Sequence, residues 1–467
     1  MMRKRKGHPV YPLTAAQKLH FYYQKYCPKK QVLNIGTSLT IETDIDWEVL
    51  KQSIYRAYER CESMRLRFAE DKQGTCYQYI ADREERDIEF RDFTGQTMEE
   101  AEAELTAWTA VPFKRQDSPM NRIVMIRMPD GFNGLYLLVD HMTMDAQSLI
   151  VFLKDIIEIY CSTKYEGVPY PKDMSSYIEQ LQKDLAYEAG CKAKTRDEEY
   201  FHRLIASSEP IFNDISGPGR LEAEQKALNN PNLRAATNVS DSVESTVDVY
   251  HLEAEPTKRL MDFCEKYHVS LVCLLMMGLR TYFQKENGND DVSLVTTVAR
   301  RATVKEKKSG GTRIHCFPFR TIMGEDVKFI DGVFKIRDAQ NEMFRYANYD
   351  PVAYYAYRGQ VFPVQSGQTY EPMSLTYQPM TLQEKGLDKL GGIRYKTKWY
   401  PNGAAAHALY LTVMHRPDDN GLDFNFEHQL KAVPKEKLEY LYYYLCRIMF
   451  KGVENPDLTI GEIIRLV

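Results

Sequence analysis

One histidine, His141, stands in the stretch GLYLLVDHMTMDAQSLIVFLKDIIEIY, Gly134 to Tyr160, with Asp140 before it and Asp145 four residues later. A neutral imidazole, whose ordinary pKa is about 6.5, can take the proton of an attacking nucleophile or hold that nucleophile in line. A metal reading would need a third and fourth ligand at short or recurrent spacing, and no HExxH or Cys/His cluster supplies them. A Walker-type glycine loop, GxGxxG and GxSxG are also missing, so nucleotide hydrolysis, dinucleotide binding and serine-hydrolase chemistry lack their usual marks.

The elements around His141 follow from a change of periodicity. Leu135 to Val139 is a short apolar run suited to a buried strand, whereas Leu149, Phe152, Leu153, Ile156 and Tyr160 recur at helical spacing. His141 therefore falls where the strand ends. Asp145 stands just before the helix, where a carboxylate accepts the free N–H groups of the first turn. A buried carboxylate paired with an arginine explains Asp145 equally well.

The other elements are read in the same way. Thr14 and Gln17 have the form of a capping box, and Asp46 looks like the cap of a helix lined by Leu50, Ile54, Ala57 and Cys61. Met64 to Phe68 alternates, placing Arg65 and Arg67 opposite the apolar set, in structural or solvated positions. Strands are expected at Cys76 to Ile80, Asn121 to Met128, Val247 to Leu252, Asp291 to Ala299, Ile314 to Ile322 and Met373 to Tyr377. Pro318 marks the Ile314 strand as an edge or irregular one. His407 to Met414 and Leu422 to Glu427 read as a hairpin through a turn at Asp418 to Gly421. Helices are expected over Thr97 to Thr109, Lys172 to Leu204, Leu271 to Phe283 and Asp326 to Tyr346, with a last one opened by Pro434. Ala206 to Ser245 is rich in Ser, Asn, Asp, Pro, Gly and charge and reads as a linker or mobile loop. The expected organisation is an N-terminal lobe over 1–205, the linker over 206–245 and a C-terminal lobe over 246–467.

Composition narrows the class. At 467 residues, 43% hydrophobic and 27% charged, the chain suits a soluble α/β protein of at least two lobes. A net charge of −4 gives no bulk reason to expect nucleic-acid binding, and the basic residues Arg3 to Lys6 read as a solvated terminus. The longest apolar run, Leu271 to Leu279, falls short of the ~20 residues that span a bilayer, and no secretory signal opens the chain. Nine cysteines without a CxxC pair fit reduced thiols, so a cytoplasmic location is expected.

The ordered set of segments resembles a condensation domain of nonribosomal peptide synthesis, within the superfamily that includes chloramphenicol acetyltransferase. LTAAQKLHFYYQ, Leu13 to Gln24, is similar to the family's opening helix motif, and RCESMRLRF, Arg60 to Phe68, to its RHxxLRTxF segment. DHMTMDA, Asp140 to Ala146, corresponds to HHxxxDG. ARR at Ala299 to Arg301, IHCFPFR at Ile314 to Arg320 and PMSLTYQP at Pro372 to Pro379 resemble later strands. The resemblance covers nearly the whole chain.

The resemblance implies two chloramphenicol-acetyltransferase-like α/β lobes arranged as a V with a central tunnel. It makes His141 the catalytic residue and Asp145 a structural carboxylate paired with an arginine, either Arg300 or Arg301. It implies an acyltransferase that joins a carrier-bound acyl or aminoacyl thioester to an amine. Phosphopantetheine would be carried by a partner carrier protein, met in trans by a freestanding chain that binds no cofactor or metal of its own. Two positions depart from the motif: Asp140 replaces the first histidine and Ala146 the glycine. An acidic neighbour raises the pKa of the base or changes its orientation, so these departures bear on efficiency and reaction type. The rival readings are an O- or N-acyltransferase of the same superfamily with a small soluble acceptor, and a noncatalytic scaffold that keeps the fold. His315, His407 and His415 read as satisfied structural histidines.

Overall fold

The computed structural model describes residues 4–82, 87–378, 394–416 and 419–467; Arg3, Pro379 and Asp418, named above, lie outside them. The chain divides into two compact units, Met1–Cys191 with Ala299–Ile314 and Met380–Ala404, and Lys192–Val298 with His315–Pro379 and Ala405–Val467.

The first unit is built on a five-stranded sheet whose order is Tyr395–Tyr400, Asn34–Ile41, Asn133–Asp140, Asn121–Arg127 and Glu89–Asp92. Only the last pair is parallel. Asn133–Asp140 is central and buried along its whole length because both faces of the sheet are covered. Leu135, Leu137 and Val139 pack with Ile54 and Ala57 of helix Trp47–Arg60 and with Phe152 and Ile156 of helix Ala146–Lys164. Tyr136 and Leu138 face the other way, onto Ala101 and Leu105 of helix Met98–Thr109. Two-sided burial is why this strand reads as a continuous apolar run rather than an alternation. Gly36 lets that last helix approach, since a Cβ there would run into the Thr109 side chain. A smaller sheet pairs Tyr11–Pro12, Cys76–Ile80 and Leu66–Glu70.

The second unit holds a six-stranded sheet in the order Ser245–Leu252, Leu422–Gln429, Leu409–His415, Ser374–Gln378, Asp291–Val298, His315–Ile322. The expected hairpin is present, with Tyr410 opposite Glu427. Pro318 sits on the edge strand, where a missing N–H costs no ladder bond. Leu294, Phe317, Leu411 and Phe426 pack under helices Leu271–Asn287, Phe329–Tyr346 and Lys435–Glu454.

Several expectations are corrected. The lobes are not contiguous at 205 and 246: the chain passes to the second unit at Lys192 and returns twice to the first. Residues 206–245 are no bare linker, since they carry helix Gly219–Ala227 and a strand, Ala236–Thr237, paired to Gln368–Thr369. Phe212, Leu221 and Ala236 give this segment its own apolar cluster. The expected helix over Lys172 to Leu204 is two, Tyr177–Glu188 and Lys192–Ala206, parted at Gly190, whose φ of 118° no helix accommodates. Arg5 is not a solvated charge either: it pairs with Asp117 and donates to the Tyr77 hydroxyl at 2.8 Å. Arg67 is buried, which leaves the structural one of its two expected readings. No disulfide joins any of the nine cysteines among the described residues.

Candidate active site

His141 follows the last residue of the central strand and begins a four-residue turn that ends at the helix cap. The turn is fixed from both ends. The backbone N–H of His141 donates to the Leu33 carbonyl at 2.8 Å, continuing the ladder to the neighbouring strand. Asp140 Oδ1 then accepts the N–H of Met142 at 2.8 Å, and its carbonyl accepts from Thr143 N–H at 2.9 Å and Thr143 Oγ1 at 2.7 Å. This is an Asx-turn, in which a short carboxylate closes the chain on itself two residues on. Asp140 therefore performs a local structural task in its own right.

At the far end, Asp145 caps helix Ala146–Lys164. Its Oδ1 accepts from Ser148 N–H and Ser148 Oγ, both at 2.9 Å, and its Oδ2 from the Arg313 N–H at 2.9 Å. Arg301 Nη2 lies 2.9 and 3.0 Å from the two oxygens. Both side chains are only 2% exposed, so this is a buried ion pair. Arg301 also donates to the carbonyls of Ser309 at 2.9 Å and Gly311 at 2.8 Å. Gly311 has a φ of 93°, and a Cβ there would strike the Tyr177 ring. Ala146, at the first helical position, needs no glycine, and alanine is the better helix former.

Arg301, not Arg300, is thus the partner of Asp145. Arg300 adopts a left-handed φ of 52° and reaches Asp184 at 3.0 Å. The reversal in backbone direction sends consecutive side chains to different carboxylates. Arg313 joins the two pairs, giving its N–H to Asp145 and its guanidinium to Asp184 at 3.2 and 3.4 Å. Burial pushes the Arg300 guanidinium down; Asp184 opposes this and Arg313 adds to it.

The electrostatics of the three motif side chains differ. Burial lowers the His141 pKa, and the backbone of His141 and Met144, with Asp145 and Asp140, only partly restores it. The imidazole is therefore neutral at pH 7, as a base must be. Burial alone would raise the Asp145 carboxyl, but Arg301 and the N–H groups of Ser148 and Arg313 outweigh it and hold the group below its ordinary range. For Asp140 burial wins: its pKa is raised despite Arg115, the Met142 N–H and His141. Arg115 Nη2 lies 3.8 Å from Asp140 Oδ2, and its guanidinium sits 5.6 Å from the centre of the Phe21 ring.

The His141 ring is half-buried and stacks on His20, with centroids 4.1 Å apart and planes 24° from parallel. Sequence reasoning does not single out His20, Arg115, Ser148, Asp184 or Arg313. Two carry a readable signal: Ser148 sits at the third helical position after its cap, and His20 lies three residues after Gln17 on the same helix face. His315, His407 and His415 lie in the second unit. His315 Nδ1 is 2.9 Å from the Ala347 carbonyl and His415 Nε2 is 2.9 Å from the Tyr377 hydroxyl. Burial takes His407 down to about 4. Among the described residues no group of three or more His, Cys, Asp or Glu is placed to hold a metal ion, and no helix is long and apolar enough to cross a membrane.

Comparison with known proteins bears on the family and the fold. The family model described as "Condensation domain" matches residues 8–466. Surfactin synthase subunit 1 of Bacillus subtilis (strain 168) is 22% identical over 97% of this chain, and bacitracin synthase 2 of Bacillus licheniformis is 20% identical over 97%. The chain spans only 12% and 16% of the length of these relatives. Among solved structures, the first condensation domain of the calcium-dependent antibiotic synthetase, bound to a substrate analogue, is 18% identical with a TM-score of 0.78, covering 97% of this chain and 98% of that one. The starter condensation domain of rhizomide synthetase, a mutant bound to C8-CoA, is 19% identical with a TM-score of 0.79, covering 97% and 96%. The fold is the mixed α/β one of chloramphenicol-acetyltransferase-like proteins.

Proposed function

We propose that this chain, which belongs to the condensation-domain family, forms an amide bond between a carrier-bound acyl or aminoacyl thioester and an amine. The observation that carries the proposal is His141 itself. It is a half-buried imidazole held neutral by its surroundings, on a turn locked by the Asp145–Arg301 pair. In the reaction, the amine nitrogen attacks the thioester carbonyl and its proton passes toward His141. The C–S bond then breaks, the thiol takes up a proton, and the amide is released. His141 orients the nucleophile and accepts its proton; Asp145, Arg301 and Arg313 keep the turn in place. No metal or nucleotide enters this balance. The phosphopantetheine arm belongs to the substrate, on its carrier protein.

The scaffold reading draws its support from Asp140 and Ala146, yet neither deforms the site. Asp140 closes an Asx-turn and Ala146 is an ordinary first helical residue. Resemblance to synthetases also supports a carrier-bound acceptor over a free alcohol. The test is a panel with octanoyl-carrier protein as donor and leucine N-acetylcysteamine thioester, benzylamine or benzyl alcohol as acceptor, read by product mass. Amide products uphold the proposal; ester alone assigns the chain to the O-acyltransferases; and carrier binding without any product leaves the scaffold reading.

A further inference from the structure

We infer that helix Ala15–Tyr26 is the positioning platform for the base, with His20 setting the plane of the His141 ring and Gln17 anchoring the next residue of the turn. The inference rests on the reading of His141 as the base given above.

A histidine used as a base is commonly held by a hydrogen bond from one ring nitrogen, which fixes both tautomer and orientation. In His141 the buried Nδ1 makes no hydrogen bond of ordinary geometry among the described residues, and the polar groups that reach the ring are the backbone of its own residue and of Met144, both within the turn itself. The χ2 torsion of a histidine is broad and roughly two-fold, so contacts confined to the turn's own backbone leave the ring plane to be set by what packs on its face. The contact that meets this need is with His20, stacked at 4.1 Å. Gln17 sits one turn earlier on the same helix face and donates to the Met142 carbonyl at 3.3 Å. The two contacts fall on successive residues of the turn, one on a ring and one on the backbone.

A platform must itself be fixed, and this helix is. The Thr14–Gln17 capping box closes its first turn, and Glu188 accepts from the Ala15 N–H at 2.7 Å and pairs with Lys18 at 2.8 Å. Gln17 is fully buried and further tied to Gln78 at 2.8 Å and the Tyr177 hydroxyl at 3.1 Å. The charged and titratable groups acting on His141 from other elements, Asp140 on the strand and Asp145 at the helix cap, act through space and leave the ring torsion free. His20 acts on the ring by contact. It is thus a positioning residue, not a catalytic one.

The test compares two apolar replacements that fill the space differently. His20→Phe keeps a planar ring against His141, and His20→Leu keeps bulk without one. Octanoyl transfer to leucine N-acetylcysteamine thioester is measured for both, with thermal denaturation as the check on folding. His20→Phe should hold kcat within threefold of wild type. His20→Leu should lose about 10- to 100-fold in kcat with KM within twofold, as a mis-set base costs turnover rather than binding. Equal activity of the two variants, whether both retained or both lost with the fold intact, overturns the inference. Full activity of His141→Ala would instead overturn the reading on which it stands.

Discussion

Replacing Arg301 by methionine removes one guanidinium and leaves three kinds of debris. Asp145, 2% exposed, loses two contacts at 2.9 and 3.0 Å and becomes a buried carboxylate without a counter-charge. Ser148 Oγ loses a donor at 2.7 Å, and the carbonyls of Ser309 and Gly311 lose theirs. Breaking one side of a buried pair costs about 3–5 kcal/mol. The N–H groups of Ser148 and Arg313 still reach Asp145, which favours the lower half of that range. For a unit of ~150–250 residues each kcal/mol shifts Tm by about 2–4 °C, so Arg301→Met should lower the transition by about 6–16 °C. The sign with pH follows from the depressed Asp145 carboxyl. Its contribution is present above the ordinary value of 3.8 and is lost as pH falls through the lower folded value. The gap between variant and wild type should therefore be full at pH 7 and narrow in acid below 3.8. Arg300→Met is the control: Asp184 keeps Arg313, which also loses a like-charged neighbour, so the cost should be less than half as large. Thermal denaturation followed by circular dichroism decides the matter. An Arg301→Met transition within 2 °C of wild type, or an Arg300→Met loss as large as that of Arg301→Met, would refute the assignment.

Three further outcomes are expected. Asp140→Asn keeps an oxygen for the Met142 N–H and should be more stable than Asp140→Ala by about 1 kcal/mol in urea denaturation. By removing a negative charge that raises His141, it should also move the acid limb of kcat/KM to lower pH; a shift to higher pH would contradict the electrostatics. Ala146→Gly, which restores the family residue, should cost about 0.5–1 kcal/mol of thermal stability without raising turnover. Burial lifts Glu427 from 4.5 to about 7, so its contribution is complete below 4.5 and is lost as pH rises through 7. That displacement corresponds to at most about 3 kcal/mol, and the residual exposure of the side chain reduces it to about 1–2 kcal/mol. Glu427→Gln should flatten the stability slope between pH 4.5 and 7, and an unchanged slope would count against the assignment.

Much of the scaffold was legible because local signals and tertiary demands agree. Thr14, Asp46 and Asp145 announce helices that begin where each of them caps, and the apolar run at Leu135 to Val139 is the strand buried on both faces. What stayed hidden depends on long sequence separations. Tyr395–Tyr400 completes the first sheet beside Asn34–Ile41, some 360 positions earlier, and nothing local says which unit it will join. The choice between Arg300 and Arg301 turns on one left-handed φ, which arginine does not advertise. Residues 206–245 misled because a polar composition hides a nine-residue helix and a two-residue strand held by only a few apolar contacts. At the site, the motif locates His141, but its surroundings come from segments far apart in the sequence, among them His20, Arg115 and Arg301. Asp140 shows the limit most clearly: it departs from the family pattern, and its compensating Asx-turn is visible only in the backbone geometry.

The central claim is that His141 takes the proton of the attacking amine. Single-turnover transfer from octanoyl-carrier protein to leucine N-acetylcysteamine thioester, followed by intact-protein mass spectrometry for wild type and His141→Ala, tests it most directly. The account predicts that His141→Ala, with an unchanged thermal transition, slows amide formation by about 10²–10⁴-fold while still binding the loaded carrier. Transfer at the wild-type rate by a folded His141→Ala protein would contradict it.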